Sequence, residues 1–214
     1  MELKGFYNMD CIEGMKEIPD KYFDLAIVDP PYGGNDAIGL KDNKTTGKQA
    51  AARTDYKVFE NVAPTSEYFE ELKRVSKNQI IWGVNFYEVA GLAGGRIVWD
   101  KKGTVFGRAE MAYYSGSKSV QIFEHTWNGM LQENMKNKEV RIHPTQKPVA
   151  LYHWLLNNYA KEGDKILDTH VGSASSLIAC HDMGFEYLGF ELDEGYYRMA
   201  SERLEAHKAQ LTLF

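Results

Sequence analysis

The stretch Lys165-Ile166-Leu167-Asp168-Thr169-His170-Val171-Gly172-Ser173-Ala174-Ser175-Ser176 decides the fold. A short apolar run ends on an acid, passes through a turn of small residues, and opens into a segment that suits a helix N-terminus. Small residues let a ligand approach the backbone, and the first turn of a helix has N–H groups without intrahelical partners. About twenty residues further on, the run 186–190 reads as a second strand and delivers Glu191, an acid at the distance that suits the two hydroxyls of a ribose. The dinucleotide pattern G-x-G-x-x-G is absent. Strand, turn, helix, strand and acid together point to a nucleoside-containing cofactor.

Working outward, the rest of the chain alternates in the same way. Strands are expected at 3–8, Phe23–Val28, 79–82 and 96–99, and helices at 11–18, 66–76, 148–160, 174–183 and 194–208. In 66–76 the apolar Tyr68, Phe69, Leu72 and Val75 recur at helical spacing, with Thr65 or Ser66 as the cap. Ala109–Tyr114 and 120–127 read as two further strands joined as a hairpin. This order predicts an α/β fold, a doubly wound, mostly parallel sheet with helices on both faces. Residues 33–60 are polar and rich in Gly, Lys and Thr, and are expected to form a mobile loop at a strand end. At 214 residues the chain suits one domain spanning 1–214.

The second chemical feature is Asp29-Pro30-Pro31-Tyr32, directly after the apolar Leu25-Ala26-Ile27-Val28. Proline fixes φ and lacks an N–H, so the strand cannot run on through it. The result is a stiff ledge that bears a carboxylate, an unpaired carbonyl and a flat ring. Those groups suit capture of a planar base that carries an amine.

Composition narrows the classes. A charged fraction of 26% and a hydrophobic fraction of 43% describe an ordinary globular chain, with no long apolar segment and no N-terminal signal pattern. A cytoplasmic location is expected. The two cysteines, Cys11 and Cys180, and the six histidines lack the spacing of a disulfide framework or a metal site, so no metal is expected. The net charge of −5 is locally reversed. Lys41, Lys44, Lys48, Arg53 and Lys57 form one basic stretch, and Lys136, Lys138, Arg141, His143 and Lys147 a second. Two such runs flanking the ledge suit contact with phosphates.

With both features in view, the chain resembles the S-adenosylmethionine-dependent amino-methyltransferases of DNA. It is most similar to the permuted class, in which DPPY precedes the cofactor loop. Asn8-Met9-Asp10-Cys11, Trp82-Gly83-Val84-Asn85-Phe86-Tyr87, Trp99-Asp100-Lys101 and His143-Pro144-Thr145-Gln146-Lys147-Pro148 extend the likeness over nearly the whole chain. The resemblance implies a Rossmann-like class I methyltransferase fold and S-adenosylmethionine as cofactor. It places Asp10 and Cys11 near the adenine of that cofactor and Glu191 on its ribose. Lys147 and Thr145 go to its methionine end, with Asp168, His170, Gly172 and Ser173 in the loop beneath. One departure stands out. The family's loop usually resembles D-P-F-x-G-S-G-T, and here Thr169, His170 and Ala174 replace the proline, the phenylalanine and the second glycine.

The implied reaction is methylation of adenine N6 in a base flipped out of duplex DNA, as in restriction-modification systems, with Asp29, Pro30, Pro31 and Tyr32 as the catalytic segment. An acid in the first ledge position favours adenine; cytosine N4 is the alternative, followed by RNA methylation and by DNA binding on a decayed fold. Only 33–60 and about 100–142 remain for target recognition, with Arg53, Arg108, Asn128, Gln132 and Asn134 as candidate readers. So small a reader suits a short recognition sequence or help from a second subunit in a homodimer.

Overall fold

The computed structural model describes residues 1–33, 61–88, 91–103, 107–128 and 131–211. The expected loop at 33–60, apart from Gly33, lies outside these residues, as do Lys41, Lys44, Lys48, Arg53 and Lys57. The elements run β1 (Gly5–Asn8), α1 (Cys11–Lys16), β2 (Phe23–Val28), α2 (Ser66–Val75), β3 (Ser76–Trp82), β4 (Gly95–Asp100), β5 (Ala109–Tyr114) and β6 (Val120–Glu124). They continue through a ribbon of β7 (Trp127–Asn128) and β8 (Leu131–Gln132) to α3 (Val149–Tyr159), β9 (Lys165–Asp168), α4 (Ser175–Asp182), β10 (Glu186–Glu191) and α5 (Glu194–Leu211).

Eight strands form one sheet in the order β1-β10-β9-β2-β3-β5-β4-β6. Within it β5 runs antiparallel to both its neighbours, β3 and β4, while the other pairings are parallel. Strand alternation sorts the core into two layers. Ala26 and Val28 of β2 face Met15 of α1 and Tyr68, Phe69 and Leu72 of α2. Leu25 and Ile27 face the other way, toward Leu151, Leu155 and Leu156 of α3 and Ala179 of α4. Helix α5 closes that second side through Ala200 and Leu204, packed with Phe6 and Tyr187. The doubly wound, mostly parallel α/β sheet expected from the sequence is the observed one.

The expected hairpin of Ala109–Tyr114 and 120–127 does not form. Strands β5 and β6 lie on opposite edges of β4, and β6 pairs with β4 in parallel from Arg96↔Val120 to Asp100↔Glu124. Gly95 explains the crossing. A Cβ there would stand 2.7 Å from the Ser119 carbonyl oxygen, so only glycine lets the connection pass over the start of β4. The Arg96 N–H donates to that same carbonyl.

Two central strands set the position of the site. From β2 the chain winds outward through α2 to β3, and from β9 it winds the opposite way through α4 to β10. Adjacent β2 and β9 therefore flank the point where the winding reverses, and ligands of open α/β sheets bind at the carboxyl ends of such strands.

Candidate active site

At those carboxyl ends lies a cavity of about 750 Å³, within the range of small-molecule sites. Asp10, Cys11, Asp29, Pro30, Pro31, Tyr32, Thr145, Lys147, His170, Gly172, Ser173 and Glu191 all line it. Segments from both ends of the chain thus converge on one space. Asp168 alone among the expected residues does not reach the wall. It is buried at the end of β9, where its carboxylate accepts from the His170 N–H and the Ser176 hydroxyl and so ties the turn to the first turn of α4.

The ledge is stiff and its polar atoms are engaged. The Tyr32 hydroxyl donates to Asp29 Oδ1 at 2.7 Å, and Lys147 Nζ donates to Asp29 Oδ2 at 2.6 Å. The Pro30 carbonyl accepts from the Tyr87 hydroxyl at 2.8 Å. The Tyr32 ring stacks on Phe86, with centroids 4.8 Å apart and planes within 11°. Phe86 belongs to the 3₁₀ turn Val84–Phe86 after β3 and is 45% exposed, so an aromatic group is presented beside the ledge.

Lys147, expected at the methionine end of a cofactor, turns its ammonium to the ledge. It is 4% exposed and lies between Asp29 and Glu110, whose Oε2 is 2.9 Å away. Burial disfavours the Lys147 charge, but Asp29 and Glu110 outweigh it and hold the ammonium charged. Burial likewise raises the proton affinity of Asp29, opposed by Lys147 and reinforced by Glu110.

On the opposite wall, the β9 turn is organised by side chains. The Tyr68 hydroxyl and Thr169 Oγ1 are 2.6 Å apart, and Thr169 Oγ1 is 2.9 Å from His170 Nδ1. Burial pushes His170 down to about 4, and burial with the Lys147 charge does the same for His143, so both rings are neutral at neutral pH. Glu191 accepts from the Gly172 N–H and the Asp193 N–H, both at 2.9 Å, which fixes its carboxylate at the rim. Asp10 caps α1 by accepting from the Ile12 and Glu13 N–H groups. Burial, with Asp10 beside it, pushes the Cys11 thiol up to about 12, so it is no thiolate nucleophile.

Sequence reasoning missed several residues of the site. Tyr87 stands in the sequence as one aromatic of the run 82–87, with no signal for its contact with the Pro30 carbonyl. Glu110 carries a signal in retrospect, as an acid inside the otherwise apolar or aromatic Ala109–Tyr114. Arg203 of α5 carries none, yet it donates to the Ser173 carbonyl at 2.6 Å and to Glu139 at 2.8 Å, bracing the β9 turn. Among the candidate base readers, Gln132 is spent internally. Its side-chain amide exchanges hydrogen bonds with the Glu139 backbone at 2.9 and 2.8 Å. Asn128 and Asn134 accept backbone N–H groups within their own turns. Arg108 is exposed, and Arg53 lies outside the described residues.

Residues 97–202 match the sequence family N6_N4_Mtase, described as a DNA methylase. Over 210 residues the chain is 28% identical to a putative methylase, YubD, of Escherichia coli (strain K12), covering 95% of this chain and 91% of the relative. Among solved structures, the M1.HpyAVI–SAM complex superposes with a TM-score of 0.57 at 19% identity, covering 92% of this chain and 98% of that one. The PvuII DNA methyltransferase, a cytosine-N4-specific enzyme, does so with a TM-score of 0.60 at 13% identity, covering 95% and 90%.

Proposed function

We propose that the chain, whose residues 97–202 match the DNA methylase family N6_N4_Mtase, transfers a methyl group from S-adenosylmethionine to N6 of adenine in duplex DNA. The observation that carries this reading is the ledge itself. A carboxylate, a proline carbonyl and a tyrosine ring stand together at the end of β2, on the wall of a cavity whose other wall is the β9 turn.

The cavity suits the cofactor. Its volume, its rim carboxylate Glu191 and the Gly172–Ser173 backbone before α4 match a nucleoside with a charged tail. In that arrangement Asp10 and Cys11 border the adenine, Glu191 holds the ribose hydroxyls, and Thr145, His170 and Ser173 border the methionine portion. When bound, S-adenosylmethionine supplies an electrophilic methyl group.

An exocyclic amine is a poor nucleophile because its lone pair is conjugated with the ring. Asp29 Oδ1 and the Pro30 carbonyl, which here receive the hydroxyls of Tyr32 and Tyr87, take the two amine N–H groups instead and favour a pyramidal nitrogen. Rate enhancement then comes from orientation and from fixed negative charge. Tyr32 stacks on the base, which has to leave the duplex to reach it. In this structure the ring stacks on Phe86, a flat partner whose place a base would take. Exposed Arg108, Lys136 and Lys138, within the proposed recognition region 100–142, suit contact with phosphates.

Mass spectrometry of nucleosides from unmethylated DNA treated with the protein and S-adenosylmethionine tests the reading. N6-methyladenine is the expected product. N4-methylcytosine alone moves the assignment to cytosine, methylation of RNA alone moves it to an RNA substrate, and DNA binding without transfer leaves a non-catalytic binder.

A further inference from the structure

The ledge is tied into a set of charges that alternate in sign. Lys101, just after β4, pairs with one oxygen of Glu110; the other oxygen of Glu110 lies 2.9 Å from Lys147 Nζ; and Lys147 lies 2.6 Å from Asp29 Oδ2. Glu110 stands on β5, the strand that runs against the rest of the sheet, so only the tertiary fold brings it to Lys147. Its own carboxyl is held down at about 2, because the two ammonium groups overcome the effect of burial. In a poorly hydrated site such contacts are far stronger than in water. Lys147 thus meets Asp29 at one oxygen, Oδ2, while Glu110 holds another side of the ammonium.

We propose that Glu110 is a positioning residue for Asp29, acting through Lys147. By sharing the ammonium, it confines the contact of Lys147 with Asp29 to Oδ2 and leaves Oδ1, which here accepts from the Tyr32 hydroxyl, for the substrate amine. The proposal rests on the methyl-transfer reading above. It also fixes the sign of a pH effect. The groups that face Asp29 are Lys147 ahead of α3, Glu110 on β5, Tyr32 on its own segment and Tyr87 after β3, with Tyr152 of α3 and Asp168 of β9 coupled through the buried core. Of these, Glu110 raises the proton affinity of Asp29 and Lys147 lowers it. Removing the Glu110 charge therefore moves the acidic limb of the kcat profile to lower pH. It also lowers the plateau, because Lys147, released from Glu110, turns to both Asp29 oxygens and competes with the amine for Oδ1.

The experiment measures single-turnover methylation against pH, with cofactor calorimetry, for the wild type, Glu110→Gln and Glu110→Asp. For Glu110→Gln the expected result is a kcat reduced on the order of tenfold to a hundredfold, an acidic limb shifted to lower pH and an unchanged cofactor Kd. Glu110→Asp restores part of the plateau. A Glu110→Gln enzyme with the wild-type plateau and limb overturns the proposal, as does one that loses only thermal stability. If Glu110→Gln does not fold, Lys101→Met, which frees the far oxygen of Glu110 toward Lys147, is measured instead. It is expected to move the acidic limb, and an unmoved limb with the wild-type plateau again overturns the proposal. A wild-type protein that methylates nothing defeats the methyl-transfer reading itself; an active wild type with indifferent Glu110 and Lys101 variants defeats only this inference.

Discussion

At the residue scale the proposed reaction turns on Asp29, whose Oδ1 and the neighbouring Pro30 carbonyl already hold hydroxyl donors in the positions proposed for the substrate amine. Asp29→Ala removes the carboxylate and leaves the β9 turn untouched. Methyl transfer should fall by at least about a hundredfold to a thousandfold, while calorimetry should give a cofactor Kd within a few-fold of the wild type; retained turnover would falsify the role given to Asp29. The three departures from the family's loop also find physical accounts here. Thr169 links Tyr68 to His170 through its hydroxyl. The His170 ring is neutral and packs edge-on against Tyr68. Ala174 adopts a left-handed backbone at φ 62°, which costs about 1–2 kcal/mol for a residue with a Cβ, and its methyl is fully buried in return. The ledge and loop residues were legible in sequence because each lies in a local run with its own chemistry. The Lys147–Asp29 pair was not, since 118 positions separate its members.

Among the elements, the end of β3 sets the shape of the ledge. Gly83 has φ 73°, and a Cβ there would stand 2.2 Å from the Tyr32 ring. Neither the backbone conformation nor the contact tolerates a side chain. Gly83→Ala should therefore displace Tyr32 and reduce kcat on the order of a hundredfold, with cofactor affinity little changed. A Gly83→Ala enzyme at wild-type rate would remove Tyr32 from the proposed mechanism. Periodicity located nearly every strand and helix, because β alternation and helical spacing are local signals. It failed on the pairing of β5 and β6. Chain proximity favours a hairpin, whereas Gly95 lets the connection cross over β4 and gives that strand partners on both edges.

For the whole molecule, burying an acid at the end of β9 makes stability depend on pH. Burial pushes Asp168 up to about 7 despite its hydrogen bonds from Ser176 and the His170 N–H. Between the ordinary carboxylate range and pH 7 the folded state thus holds a proton that the unfolded chain releases, so stability falls as pH rises through this window. The thermal midpoint should drop between pH 5 and pH 8 by the equivalent of a few kcal/mol. Asp168→Asn stays neutral and can still accept from the His170 N–H. It should flatten that dependence and exceed the wild type at pH 8; parallel melting curves for the two proteins would show that Asp168 is not its source.

The sequence by itself determined the alternating elements, the ledge at Asp29–Tyr32 and the turn and acid at Asp168–Glu191. Each is encoded by neighbours in the chain, through side-chain period, proline geometry and small residues at a turn. Only the tertiary structure decided that β2 and β9 stand side by side at the reversal of the winding. That fold also brings Lys147 and Glu110 to Asp29 and Arg203 to the β9 turn. Those are contacts of charged groups with partners far apart in sequence, and their energy depends on distance and burial, which only the folded chain sets.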